Sequence, residues 1–247
     1  MWWALVRRDH VELGPAGLVA YGHYGRPVLV FPSEQGRAWD FENNGMVDAV
    51  ADLIDSGRVK LYCVESGDRD TWSNRSQPIE ERARRHGHYE QWIMDRAVPW
   101  IAGDCGGPTP IVTLGCSLGA YHAANLALRH ADVFPLALCL SGNYDPTSWP
   151  AWGDHGDSVY FQNPMAYVAN MHGEHLDWLR GQLKLVLVVG QGAWEEHPTA
   201  ALPSTRAFAE VLSSKGLNHE LDVWGYDIPH DWPSWRAQLR HHLPRFC

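Results

Sequence analysis

The sequence predicts an α/β protein with a mostly parallel central sheet and helices on both of its faces. Short apolar runs rich in β-formers alternate with helical patterns, and most of these runs lack polar alternation, as strands covered on both faces do. Strand and helix in regular succession imply parallel neighbours joined by helical crossovers. The N-terminus differs. There "WWALVRRD" (2–9) and "LVAYGHYG" (18–25) flank the turn-rich "HVELGPAG" (10–17), the pattern of an antiparallel hairpin that opens the sheet.

Five runs read as buried strands: "PVLVFP" (27–32), "VKLYCVES" (59–66), "PIVTLGCS" (110–117), "LALCLSG" (136–142) and "KLVLVVGQG" (184–192). The run 184–192 is short for a helix and β-branched, which favours a strand. A sixth, "HELDVWGYD" (219–227), alternates more and belongs near an edge. Helical patterns lie near 40–55, 78–101, 118–130, 203–215 and 231–243. Residues 143–182 are rich in Trp, Gly, Pro and His and carry no strong strand signal, so they read as a cap-like insertion with short helices over the top of the sheet. No repeat or linker divides the chain, and one domain over 1–247 is expected.

Composition limits the function. Apolar residues make up 45% and charged residues 20%, a globular balance, and the formal net charge of −9 argues against a nucleic-acid surface. The basic run "RARR" (82–85) is short. The five cysteines, Cys63, Cys105, Cys116, Cys139 and Cys247, show no CxxC spacing, and an odd, scattered set fits a reducing compartment. No basic segment followed by an apolar stretch opens the chain, and no apolar run approaches the length of a membrane span. A cytoplasmic location without a membrane span is expected.

The chemistry concentrates at "GCSLGAYHAAN" (115–125). Ser117 ends an expected strand and opens an expected helix, which places it beyond the carboxyl end of the sheet, where ligands of open α/β sheets sit. A tight strand-to-helix turn leaves no room for side chains at 115 and 119, hence the two glycines. It holds the serine strained with Oγ exposed and turns the helix N-terminus toward an oxyanion.

A serine hydroxyl needs a base, and in a G-x-S-x-G arrangement the acid follows the serine and the histidine comes last. Of fourteen histidines, His230 in "WGYDIPHDWPSW" lies after the last strand and just before the last helix. His122 reads as a helix-face residue, and His241 and His242 as solvated. The acid should follow the strand at 184–192, where Glu195 and then Glu196 stand. Asp222 and Asp227 are the fallback. Two backbone N–H groups should form an oxyanion hole. One belongs to Leu118 and the other to the loop "SEQG" (33–36), from Ser33 first and Glu34 second. "HGHYE" (86–90) and "HGEH" (172–175) lack a full ligand set, so no metal is expected. Thirteen tryptophans are many, and some should line a pocket; among Trp39, Trp72, Trp149, Trp152 and Trp194 in expected loops, Trp72 and Trp194 are favoured.

At these residues the chain resembles the esterase family of the α/β-hydrolase superfamily, the group of esterase D and the mycolyltransferases. The resemblance rests on "VLVFPSEQG", "YCVESGDRDTWSN", "RARRHGHYEQWI", "GCSLGAYHAANLALRHADVF", "CLSGNYD", "VVGQGAWEE" and "HDWPSWRAQL", in order from about residue 20 to the end. It implies an α/β-hydrolase fold with Ser117 as nucleophile and His230 as base. Many relatives carry Asp where this chain has "WEE", and the usual His-Gly pair of the oxyanion loop is replaced by "FPSEQG".

The expected activity is serine hydrolysis of carboxylic esters through an acyl-enzyme, with a Ser117–Glu195–His230 triad, a small-molecule ester as partner and no cofactor. An acyltransferase using the same triad, or a binding protein that has kept the fold without catalysis, are the competing readings.

Overall fold

The computed structural model describes residues 8–14 and 16–247. Each expected run holds one strand. The strands are β1 (Arg8–Glu12), β2 (Gly17–Tyr21), β3 (Arg26–Phe31), β4 (Val59–Val64), β5 (Val112–Cys116), β6 (Leu136–Leu140), β7 (Lys184–Val189) and β8 (Asn218–Val223). They form one sheet in the order β1-β2-β4-β3-β5-β6-β7-β8. The first two pairings, β1 with β2 and β2 with β4, are antiparallel, and the rest are parallel. The six strands from β3 on all stop short of their runs, β6 before "SG", β7 before "GQG" and β8 before "WGYD" among them. Those tails become the loops at the carboxyl end of the sheet.

The hairpin is tighter than expected. Arg8 pairs with Tyr21 and Glu12 with Gly17, and Leu13 N–H donates to Ala16 at 3.1 Å, so "HVE" belongs to the first strand. Val11 packs on the core between the more exposed His10 and Glu12. The part of the expected first strand before residue 8 lies outside the described residues.

Helices cover both faces. One pattern, near 40–55, breaks into α1 (Asp40–Asn43), α2 (Met46–Ala49) and α3 (Ala51–Asp55). The breaks fall at Gly45, left-handed at φ 71°, and at Val50, whose ψ of 22° leaves the helical region. The pattern at 78–101 runs through α4 (Ile79–Trp92), a π-helical turn (Ile93–Ala97) and α5 (Val98–Asp104). Pro99, lacking an N–H, sits at the start of α5, and the wide turn before it absorbs the broken ladder. Next come α6 (Leu118–Arg129), α7 (Asp157–Phe161), α8 (Pro164–Asn170), α9 (Glu174–Gln182), α10 (Ala201–Ser214) and α11 (Trp232–His242). Asp231 caps α11, accepting the Ser234 N–H at 2.9 Å. Among the described residues no helix is long and apolar enough to cross a membrane.

Alternate residues of each strand feed two cores. Leu29 and Phe31 join α4–α6 and α8–α10 on one face; Val28 and Val30 join α1–α3 and α11 on the other. Edge strand β8 is only partly buried, whereas β5 and β6 are fully buried.

Candidate active site

Ser117 stands between β5 and α6 with φ 57° and ψ −123°, a region that non-glycine residues rarely enter. Its flanking glycines are required by space. A Cβ at 115 would lie 2.0 Å from the Gly119 carbonyl oxygen, and a Cβ at 119 would lie 2.3 Å and 2.4 Å from the carbonyl oxygens of Pro32 and Phe31. The helix after Ser117 is thus pressed against its own strand and against the end of β3. Leu118 is the first residue of α6, where an N–H has no partner within the helix.

His230 lies in the loop between β8 and α11. Its N–H donates to Ala193 at 2.9 Å, and its ring stands edge-on to Trp235 at 5.0 Å. Close backbone packing joins the two loops involved, for a Cβ at Gly190 would lie 2.1 Å from the Ile228 carbonyl oxygen. His230 Nε2 is 2.9 Å from Ser117 Oγ, and His230 Nδ1 is 3.1 Å from Glu195 Oε2. Three side chains remote in sequence therefore touch in series.

Glu195 is fully buried, whereas its neighbour Glu196 is exposed. Its Oε1 accepts from Ser141 Oγ at 2.6 Å and from the Gly190 N–H at 3.3 Å. Both oxygens are thus engaged, as a buried carboxylate requires. Ser141 was not foreseen from sequence. It ends β6 as Ser117 ends β5, at φ 55° and on the same rim of the sheet, and that parallel placement is the one signal it gives. The fallback acids lie elsewhere. Asp222 is engaged by His242 Nε2 and Trp224 Nε1, and Asp227 is exposed.

Ser117 and His230 open on a cavity of about 270 Å³. Trp72, Trp149, Leu118, Pro150, Pro198 and Ala201 give its apolar lining; Glu34, Arg75, Asn143 and Thr199 give the polar part. Trp72 (4% exposed) meets Trp149 edge-on at 5.2 Å, and Tyr121 meets Trp149 edge-on at 5.1 Å. Trp194, expected to line the pocket, is instead 61% exposed and outside the lining, because left-handed backbone at φ 70° carries it outward while Glu195 turns in. Trp149, among the less favoured candidates, does line the cavity. Ser33 is also outside the lining, and Glu34 lies within it. Ser33 gives its carbonyl to the Gly36 N–H at 2.9 Å, closing a turn in which Gln35 has φ 56°.

Arg82, from the "RARR" run, is buried behind this wall. Its Nε donates to the Gln77 carbonyl at 2.9 Å, and its Nη1 donates to the carbonyls of Trp72 and Pro150 at 3.1 Å each. Arg84 and Arg85, on the outer face of α4, bind Glu81 instead.

The remaining histidines divide differently from expectation. His122 faces inward and is buried against Asp68 and His86. His242, expected to be solvated, is buried, with Asp222 on one ring nitrogen and Arg245 on the other; His241 beside it is exposed. Among the described residues the one group with metal-ligand spacing is Asp222, His241 and His242, and both ring nitrogens of His242 are already engaged there.

Compared with known proteins, residues 22–246 match the model of the family described as "Putative esterase". No curated protein matches the chain. Among solved structures it is similar to a ferulic acid esterase, with TM-score 0.73 and 16% identity over 97% of this chain and 96% of the other. It is also similar to FphF, a fluorophosphonate-binding serine hydrolase of Staphylococcus aureus (TM-score 0.63, 12% identity, 98% of each chain). A third is an S-formylglutathione hydrolase of Agrobacterium tumefaciens (TM-score 0.66, 12% identity, 97% of this chain and 92% of the other). At such identities the structural likeness is one of fold, that of the α/β-hydrolases. The family match spans nearly the whole chain, so the protein belongs to this esterase family and is an esterase-type hydrolase.

Proposed function

We propose that the protein hydrolyses carboxylic esters through an acyl-enzyme on Ser117. The observation that supports this best is the series Ser117–His230–Glu195, at 2.9 Å and 3.1 Å, opening on a partly apolar cavity. With Nδ1–H donated to the Glu195 carboxylate, His230 presents a lone pair at Nε2 and takes the hydroxyl proton as Ser117 attacks the ester carbonyl. Glu195 holds that tautomer and stabilises the imidazolium that forms. His230 then passes the proton to the departing alcohol oxygen. Water attacks the acyl-serine by the same route, giving the free acid and restoring the hydroxyl.

The tetrahedral oxyanion is taken by backbone donors. One is the Leu118 N–H. For the second, the loop after β3 offers Ser33 and Glu34, and the place of Glu34 on the cavity wall favours its N–H. The reaction calls on no cofactor, since hydroxyl, imidazole and carboxylate supply its proton transfers. Trp72 and Trp149 favour an apolar or aromatic group on the ester, and a volume of about 270 Å³ favours a small one. Residues 1–247 read as one domain in which the insertion 143–182 contributes Asn143, Trp149 and Pro150 to the cavity.

A series of p-nitrophenyl esters of graded chain length tests the reading, with Ser117→Ala as control and a fluorophosphonate probe to mark the reactive serine. Hydrolysis confined to the shorter and aryl esters is expected, with no labelling of the variant. Equal turnover by wild type and variant, or labelling at another residue, overturns it.

A further inference from the structure

A buried run of polar side chains leads away from the loop after β3, and the mechanism above does not use it. Asp68, fully buried, accepts the Gln35 N–H at 3.0 Å through Oδ2 and meets His122 Nε2 at 2.9 Å through Oδ1. His122 Nδ1 is 3.0 Å from His86 Nε2, and His86 Nδ1 is 2.9 Å from Gln162 Oε1. Gln162 Nε2 donates to Glu90 Oε2 at 2.9 Å, and Glu90 Oε1 accepts from Arg129 Nε and His130 Nε2 at 2.7 Å each.

The protons in this run can be placed from its far end. Burial pushes the Glu90 carboxyl up, but the hydrogen bond from His130 and the charge of Arg129 outweigh it and hold it at about 2. An ionised carboxylate only accepts, so it is the amide nitrogen of Gln162 that faces it. Asn125 fixes the same orientation, donating to Gln162 Oε1 at 2.7 Å while its own Oδ1 accepts from the Tyr167 hydroxyl at 2.9 Å. Gln162 Oε1 therefore accepts from His86 Nδ1–H. Burial, and then the charge of His122, push the His86 imidazole down to about 3, so its ring is neutral and its Nε2 accepts from His122 Nδ1–H. What remains is His122 Nε2 against Asp68, a contact that must hold one more proton. Burial pushes the Asp68 carboxyl up, but the charge and hydrogen bond of His122 and the N–H of Gln35 bring it below the usual carboxylate range. With the Gln35 N–H also on this carboxyl, the carboxylate is the form its hydrogen bonds favour, and the remaining proton then sits on His122 Nε2.

We propose that Asp68 is a positioning residue for the oxyanion turn, held charged and in place by a doubly protonated His122 on the helix that begins after Ser117. The proposal rests on the esterase reading above. Asp68 grips the peptide between Glu34 and Gln35, the residue that leaves the ordinary backbone region at φ 56°. Beside it the Gly36 carbonyl accepts the Ser66 N–H at 3.1 Å, and a Cβ at Gly36 would lie 2.6 Å from Pro32 Cβ. His122 lies on the nucleophile helix, so one ion pair ties the two halves of the oxyanion hole together.

Two substitutions separate this from a merely structural role. Asp68→Asn keeps an oxygen for Gln35 and offers an amide N–H to a neutral His122, so the turn survives and the extra proton is not needed. Asp68→Ala removes both contacts. Turnover of p-nitrophenyl acetate by Asp68→Ala is expected to fall by about 10 to 100-fold in kcat with KM within about twofold, and Asp68→Asn to recover most of it. Ring ¹⁵N shifts of His122 should be those of an imidazolium in wild type and of a neutral ring in Asp68→Asn. Wild-type kcat in Asp68→Ala, no recovery in Asp68→Asn, or a neutral His122 in wild type each overturns the proposal. If Asp68→Ala does not fold, Asp68→Ser, whose hydroxyl is too short to reach Gln35, takes its place with the same expected loss. Full activity of Ser117→Ala would instead overturn the esterase reading and this inference with it.

Discussion

Two carboxylate–imidazole pairs, each built on a fully buried acid, differ in what lies on the far nitrogen. In Glu195–His230 that nitrogen faces Ser117 and a cavity. In Asp68–His122 it faces a second imidazole inside a closed hydrogen-bonded run. On the proposed mechanism the first ring has room for a proton that arrives and leaves with each turnover. The second has none, because every acceptor along its run is already served. Proximity of acid and histidine is thus a poor guide to catalysis; the ring must also have an unfilled nitrogen where a substrate can reach it.

The comparison can be broken most sharply at the serine. Ser117→Ala should lower kcat by about 10,000-fold or more, measured with p-nitrophenyl acetate against the uncatalysed rate. Next, Glu195→Gln replaces the carboxylate by an amide that no longer fixes the reactive tautomer of His230. A loss of about 1,000 to 10,000-fold is expected, far beyond that of the parallel change Asp68→Asn. Equal losses in the two variants would mean that the pairs do not differ in role. Ser141→Ala removes one of the three hydrogen bonds to the Glu195 carboxylate and should cost about 10-fold in kcat or less, with the fold intact by circular dichroism.

The smallest effect concerns stability and belongs to the closed run. An unfolded histidine takes its proton near pH ~6.5, whereas burial holds His86 down to about 3. Between these values the unfolded chain binds the extra proton, so stability falls as pH falls. Above about pH 4.5 the low-lying Asp68 and Glu90 add nothing to that slope, since their own losses come at lower pH. His86→Gln should therefore flatten the dependence of unfolding free energy between pH ~6.5 and ~4.5, by about 1.4 kcal/mol per pH unit at most. Denaturant titrations across that range measure it, and an unchanged slope would place the proton uptake elsewhere.

What the sequence made legible follows the same division. Ser117 could be read because its requirements are local: a strand before it, a helix after it, and glycines at the two positions where a side chain collides. His230 followed from chain order. The order of the strands' tails predicted the carboxyl-end rim, but not which backbone in each loop turns inward. Hence Glu195 and Trp194, adjacent residues expected on one site, point in opposite directions, and Glu34 rather than Ser33 reaches the cavity. The Asp68–His122–His86 run was invisible for a different reason. Its members come from separate elements, and a polar residue that will be buried with a partner looks, in sequence, like one that faces water. His242 was misjudged on the same ground.

Arg82 shapes what this scaffold can become. It grips the cavity wall by peptide oxygens of residues 72, 77 and 150 rather than by their side chains. The contour of those loops is therefore indifferent to what they display, and exchanges at 72 or 149 can retune the choice of ester without unseating the frame. A lysine at 82 would forfeit that freedom, since a single ammonium cannot reproduce the planar fork that spans three carbonyls.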